Sequence, residues 1–198
     1  MATTVTSPNA AAPASNAWRT RDIVVTAIIG VVFGVVFWAW NLAWGAFDAV
    51  FVVAPPAKDL LYAVWLVPAV LAPYIVRKPG AAVFAELVAA GVSVIGSPWG
   101  PDTLLSGFVQ GAAAELVFAF TLYRLWTFPV LAAAAVASAA GAWIHDWAIY
   151  YPDASLEVQL VRGLMMAISA VVIVAGGSVV LVRALRQAGA LEGFPADG

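Results

Sequence analysis

The chain has no cysteine and a single histidine, His145, which removes disulfides and thiolate chemistry from consideration. With one histidine and no H-E-x-x-H run, a zinc site is not expected either. Charge is equally scarce. Only 10% of the 198 residues are Asp, Glu, Lys or Arg, and the net charge of −2 leaves no basic patch for nucleic acid. No G-x-x-x-x-G-K-[ST] segment occurs, since neither Lys58 nor Lys78 follows a glycine, so the chain is not expected to be an ATPase. There is no repeat pairing three helices with three others, and no run of like charge.

What the chain does have is apolar length. Hydrophobic residues make up 64% of it, and the mean hydropathy is +0.96. Six stretches, 22–44, 59–76, 80–97, 103–123, 128–150 and 158–184, have the length to cross a hydrocarbon core of about 30 Å, with 80–97 nearest the short limit. The expected fold is therefore all-α: a six-helix membrane domain over 18–186 in a bacterial cytoplasmic membrane. The first 17 residues, small, polar and proline-containing, read as a disordered tail. They lack the basic start of a secretory signal, so helix 1 is expected to remain in the mature protein. Residues 187–198 read as a loose cytoplasmic tail. Seven of the nine basic residues (Arg19, Arg21, Arg77, Lys78, Arg124, Arg183 and Arg186) fall on one side of this topology, which predicts both termini inside.

Two glutamates, Glu86 and Glu115, sit mid-helix in apolar stretches with no cation beside them in sequence. An acid at such depth costs about 2.5–3.5 kcal/mol on insertion scales, so it must be paired, protonated or facing a cavity. At 100° per residue, Glu86 shares a face with Ala82, Ala89, Ala90, Ser93 and Ser97, opposite Phe84, Leu87, Val88 and Ile95. Gln110 and Glu115, about 140° apart, bracket a stripe of Gly107, Gly111 and Ala114. On helix 5, Ala135, Ala139, Ala142 and Asp146 share a row. Small residues let neighbouring backbones approach, so these three faces are expected to turn inward. At 1.5 Å per residue, Glu86 lies roughly 10 Å and Glu115 roughly 13 Å from the cytoplasmic ends of their helices, at similar depth. An outward-open funnel with an acidic floor and an aromatic mouth would suit a small organic cation. Bland roles stay open beside these: a glutamate hydrogen-bonded only to a neighbouring helix, an Asp146–Arg162 pair, tryptophans acting as interface anchors. Thr26, Gly30 and Gly34 form a close-packing face whose partner lies in this chain or another.

Several motifs in order resemble one family. They are Trp18-Arg-x-Arg-Asp-Ile-Val24, Tyr62-Ala-Val-Trp65, Arg77-Lys-Pro-Gly-Ala81 running to Glu86, Gly96-Ser-Pro-Trp-Gly-Pro101 and Val109-Gln-Gly-Ala-Ala-Ala-Glu115-Leu-Val-Phe118, with Asp146 as a further acidic position. In these the chain resembles the YkoE family, S components of energy-coupling factor (ECF) transporters for thiamine or its hydroxymethylpyrimidine precursor. The likeness spans about 22–184.

The resemblance implies a substrate-binding subunit without enzymatic activity of its own. Its partners would be a transmembrane coupling subunit and ABC-type ATPase subunits or domains. It needs no cofactor; thiamine would be the transported ligand. Glu86 and Glu115 are the expected acidic contacts, Gln110 the reader of the pyrimidine edge, and Asp146, Trp38, Trp65 and Trp99 further candidates. Thr26, Gly30 and Gly34 take the place of the face offered to the coupling subunit. The competing classes are a small secondary carrier for an organic cation, whose acids titrate during transport, and an intramembrane enzyme using its paired acids.

Overall fold

The computed structural model describes residues 16–197, and among these it contains helices and turns but no strand. α1 spans Thr20–Val50. A 3₁₀ helix, Pro55–Leu66, runs directly into α2, Val67–Val76. Then follow α3 (Ala81–Ser93), α4 (Asp102–Phe120), α5 (Phe128–Ile149), and a last continuous segment made of α6 (Leu156–Ser169), a π turn (Ala170–Gly176) and α7 (Gly177–Gln187). Five of these segments are long and apolar enough to cross a membrane. The sixth, α3, has 13 residues, because the chain turns at Gly96 (φ 97°) just before the Ser97-Pro98 pair. The expected run to 97 is therefore shortened.

The fold is built around the proline-rich second segment, which is mostly buried. Pro68 and Pro73 carry no backbone N–H, so part of the regular hydrogen-bond ladder is missing from this segment. In a 3₁₀ helix residues three apart eclipse one another, so Asp59, Tyr62 and Trp65 form one row facing the protein interior; all three are buried.

Glycines set the spacing of the surrounding helices. A Cβ on Gly34 would lie 2.5 Å from the Val92 Cβ and 2.9 Å from the Ala89 carbonyl oxygen, so α1 and α3 touch backbone to side chain there. Gly30 meets Val88 and Ala85 in the same way, and Thr26 is fully buried one turn earlier. This corrects one expectation: Thr26, Gly30 and Gly34 are consumed by packing α1 on α3 within the chain, and are not a free face for a coupling subunit.

The inward faces of α3, α4 and α5 are those expected: Ala82, Glu86, Ala89 and Ala90, then Gly107, Gln110, Gly111 and Ala114, then Ala135, Ala139, Ala142 and Asp146 are all buried. The C-terminal stretch departs from expectation. Past Gln187 the chain folds back, burying Leu191 and Ala196, stacking Phe194 under the Arg21 guanidinium at 4.9 Å, and hydrogen-bonding the Ala196 carbonyl to the Arg186 Nε. It is docked, not loose. Of the N-terminal stretch expected to be disordered, residues 1–15 lie outside the described residues.

Candidate functional site

A cavity of about 200 Å³ lies at the end of the bundle that carries the 97–101 turn and Tyr150, away from Arg77, Lys78 and the C-terminal stretch. Glu86 stands in its wall, fully buried. Its Oε1 accepts the Ala69 N–H at 2.9 Å. Ala69 is in the first turn of α2, where a helix has backbone donors without intrahelical acceptors and a partial positive charge. The other oxygen, Oε2, is buried and has no hydrogen-bond partner. A buried acceptor left unmatched is costly.

The aromatic wall centres on Trp65. Its ring meets Trp44 at 4.7 Å, Tyr62 at 5.1 Å and Trp99 at 5.6 Å between centroids, all edge to face. Its indole N–H donates to Asn41 Oδ1 at 3.0 Å, which holds the ring plane in place. Trp38 is elsewhere: it is 47% exposed on α1, its indole nitrogen beside Gly96, and it does not line the cavity.

The polar part of the lining comes from α4, α5 and α6. Gln110 lines the cavity with its amide nitrogen 2.7 Å from Ser106 Oγ. Asp146 accepts the Tyr62 hydroxyl at 3.3 Å and lies 3.8 Å from Arg162 Nη2. His145 bridges two acids, with Nδ1 3.3 Å from Asp146 and Nε2 3.2 Å from Asp102. Arg162 pairs with Asp59 at 2.7 Å. Three carboxylates, Glu86, Asp102 and Asp146, thus line the cavity against one guanidinium, and that guanidinium is already held by Asp59.

Glu115 is not brought to this site. Its Oε1 accepts the Gly80 N–H at 2.6 Å and the Tyr123 hydroxyl at 2.8 Å, and its Oε2 accepts the Ala82 N–H at 2.9 Å. It caps the N-terminus of α3, where both the free donors and the helix dipole attract a carboxylate. Burial, reinforced by the hydrogen bond to Glu115, pushes the Tyr123 phenol up from its ordinary range. The equal-depth expectation fails because Glu115 sits level with Ala82, whereas Glu86 lies four residues, about 6 Å, further along α3.

Sequence reasoning missed Asn41, Trp44, Asp102 and Tyr62 as cavity residues, and kept Arg162 only as a structural partner of Asp146. The Asp59, Tyr62, Trp65 spacing carried a signal, but only for a helix of three residues per turn.

Comparison with known proteins bears on what such a cavity serves. Residues 21–141 match the family described as "ABC-type cobalt transport system, permease component". The chain is 33% identical over 159 residues to "Putative HMP/thiamine permease protein YkoE" of Bacillus subtilis (strain 168), covering 76% of this chain and 79% of that one. A crystal structure of an S component of an ECF transporter superposes with a TM-score of 0.85 at 30% identity, over 90% of this chain and 91% of the other. The chain belongs to this family as a YkoE-type S component. It is accordingly a multi-pass protein of the cytoplasmic membrane and a transport component.

Proposed function

We propose that this S component captures thiamine in the cavity beside Glu86 and releases it to the cytoplasm as part of an ECF importer, with both of its own termini inside. The observation that carries the ligand reading is the buried, unpartnered Oε2 of Glu86, a residue that lines an aromatic-walled cavity. Thiamine brings what that wall lacks: N–H donors on its aminopyrimidine, and a fixed positive charge on its thiazolium ring. Trp65 and Trp99 offer faces to the cationic ring, and Asp146 and Asp102 offset its charge.

The donor set supports an organic cation over a metal ion. The acids near the mouth are engaged by His145, Tyr62 and Arg162, and among the described residues no three of His, Asp or Glu are grouped to hold a metal. The end opposite the cavity carries Arg21, Arg77, Lys78 and Arg186, which supports a cytoplasmic assignment for it and an outward-facing cavity. With no ATP-binding loop in the chain, energy comes from partner ATPase subunits acting through a transmembrane coupling subunit.

Calorimetric titration of the purified protein with thiamine and with bare hydroxymethylpyrimidine tests this reading. Thiamine is expected to bind more tightly, since the pyrimidine alone leaves the aromatic and acidic mouth unused. No heat from either compound would remove the ligand assignment.

A further inference from the structure

We propose that Arg162 is a second recognition residue of this cavity, one that reads a neutral alcohol oxygen on the ligand, so that the site accepts free thiamine and discriminates against its phosphate ester. This rests on the thiamine reading above. Arg162 lines the cavity and is only 6% exposed. Its guanidinium is fixed on three sides: Nε donates to Asp59 at 2.7 Å, Nη2 lies 3.8 Å from Asp146, and the Tyr151 ring lies 3.6 Å from Cζ. Its Nη1 is buried with no hydrogen-bond partner. A guanidinium presents its donors in a rigid fork, so one already held by Asp59 and Tyr151 cannot turn to satisfy Nη1 elsewhere. The acceptor has to come with the ligand.

The local charge decides what kind of acceptor. Asp59 and Asp146 bring two negative charges against the single positive one of Arg162, and Asp102 adds another carboxylate around the same cavity. A phosphate or carboxylate would enter a field that already has negative excess, and like-charge juxtaposition rejects such ligands. An uncharged alcohol oxygen accepts from Nη1 without that penalty, and its own proton can be offered to Asp146. Glu86 and Arg162 also stand on separate walls: α3 packs on α1, α2 and α4, while α6 packs on α5 and the 3₁₀ helix. Two residues that line the cavity thus each carry an unmatched buried atom, of opposite sense: an acceptor on Glu86 of α3 and a donor on Arg162 of α6. Thiamine has the complement, an amine on its pyrimidine and a hydroxyethyl group on its thiazolium.

The test uses the unaltered full chain in detergent, titrated with thiamine, with the analogue whose side-chain hydroxyl is replaced by hydrogen, and with thiamine monophosphate. Losing a hydrogen bond to a charged group corresponds to about ten- to hundredfold, so the deoxy analogue is expected to bind at least tenfold more weakly than thiamine. The monophosphate is expected to be weaker by at least the same factor. Equal affinity of thiamine and the deoxy analogue would overturn the role of Arg162 while leaving the Glu86 cavity standing. A monophosphate that binds as tightly as thiamine would overturn the neutral-oxygen assignment. No binding of thiamine would remove the cavity reading and this inference with it. In Arg162→Lys, which keeps a cation beside Asp59 but lacks Nη1, thiamine and its deoxy analogue should bind alike; a retained tenfold preference would count against the proposal.

Discussion

The carboxyl group of Glu86, a residue of the cavity wall, binds the backbone N–H of Ala69 at 2.9 Å with one oxygen and leaves the other buried and unmatched. The bond joins α3 to the first turn of α2, so the free oxygen is held by the fold and does not swing. Glu86→Gln keeps an oxygen for Ala69 and removes the charge. Thiamine affinity is expected to fall at least tenfold, the effect of about 1.5–3 kcal/mol lost from a charge-assisted hydrogen bond, with little change in melting temperature. Calorimetry beside a thermal melt separates the two.

Glu115 predicts the opposite pattern. Glu115→Ala strips the acceptor from the Gly80 and Ala82 N–H groups and from the Tyr123 hydroxyl. Loss of a helix cap costs about 0.5–2 kcal/mol, so stability should drop while the affinity of the folded fraction for thiamine stays unchanged. A variant of normal stability that no longer binds would return Glu115 to the ligand.

Gly34→Leu tests the assignment of the α1 face. With Val92 already 2.5 Å from a Cβ placed there, the larger side chain forces α1 off α3, and overpacking typically costs about 1–3 kcal/mol even for small additions. Reduced yield and lost thiamine binding by the isolated protein are expected together. Intact binding combined with failed uptake by the assembled transporter would instead make this face an intersubunit contact.

The tryptophans divide by position. Trp65→Ala removes the centre of the aromatic wall and should weaken thiamine binding about tenfold or more, since a desolvated cation–π contact contributes about 2 kcal/mol. Trp38→Ala, on the outside of α1, should leave affinity unaltered. Fluorescence quenching titrations of the two variants make the comparison.

The lack of cysteine makes orientation directly measurable, because a single introduced thiol is the only one labelled. In intact cells Asp153→Cys should react with a membrane-impermeant maleimide, and Arg124→Cys should react only after permeabilisation. The reverse pattern would invert the topology.

Composition and periodicity by themselves determined that the chain is all-helical and embedded in a membrane, and they picked the buried faces of α3, α4 and α5, because small residues and rare acids at helical spacing have few other uses in lipid. They turned Glu86, Gln110 and Asp146 inward, and the family resemblance added Trp65 and Trp99; all five line the cavity. Only the tertiary structure decided between the two glutamates. Both are equally costly to bury, and which one is free depends on where the N-termini of α2 and α3 fall: Glu115 is used up by the end of α3, whereas Ala69 takes only half of Glu86. The same holds for Gly30 and Gly34, whose spacing announces a close contact without naming the helix that makes it. Arg162 was legible as a cation but not as a donor with one unused nitrogen, since that depends on Asp59, Asp146 and Tyr151 converging from three separate parts of the chain.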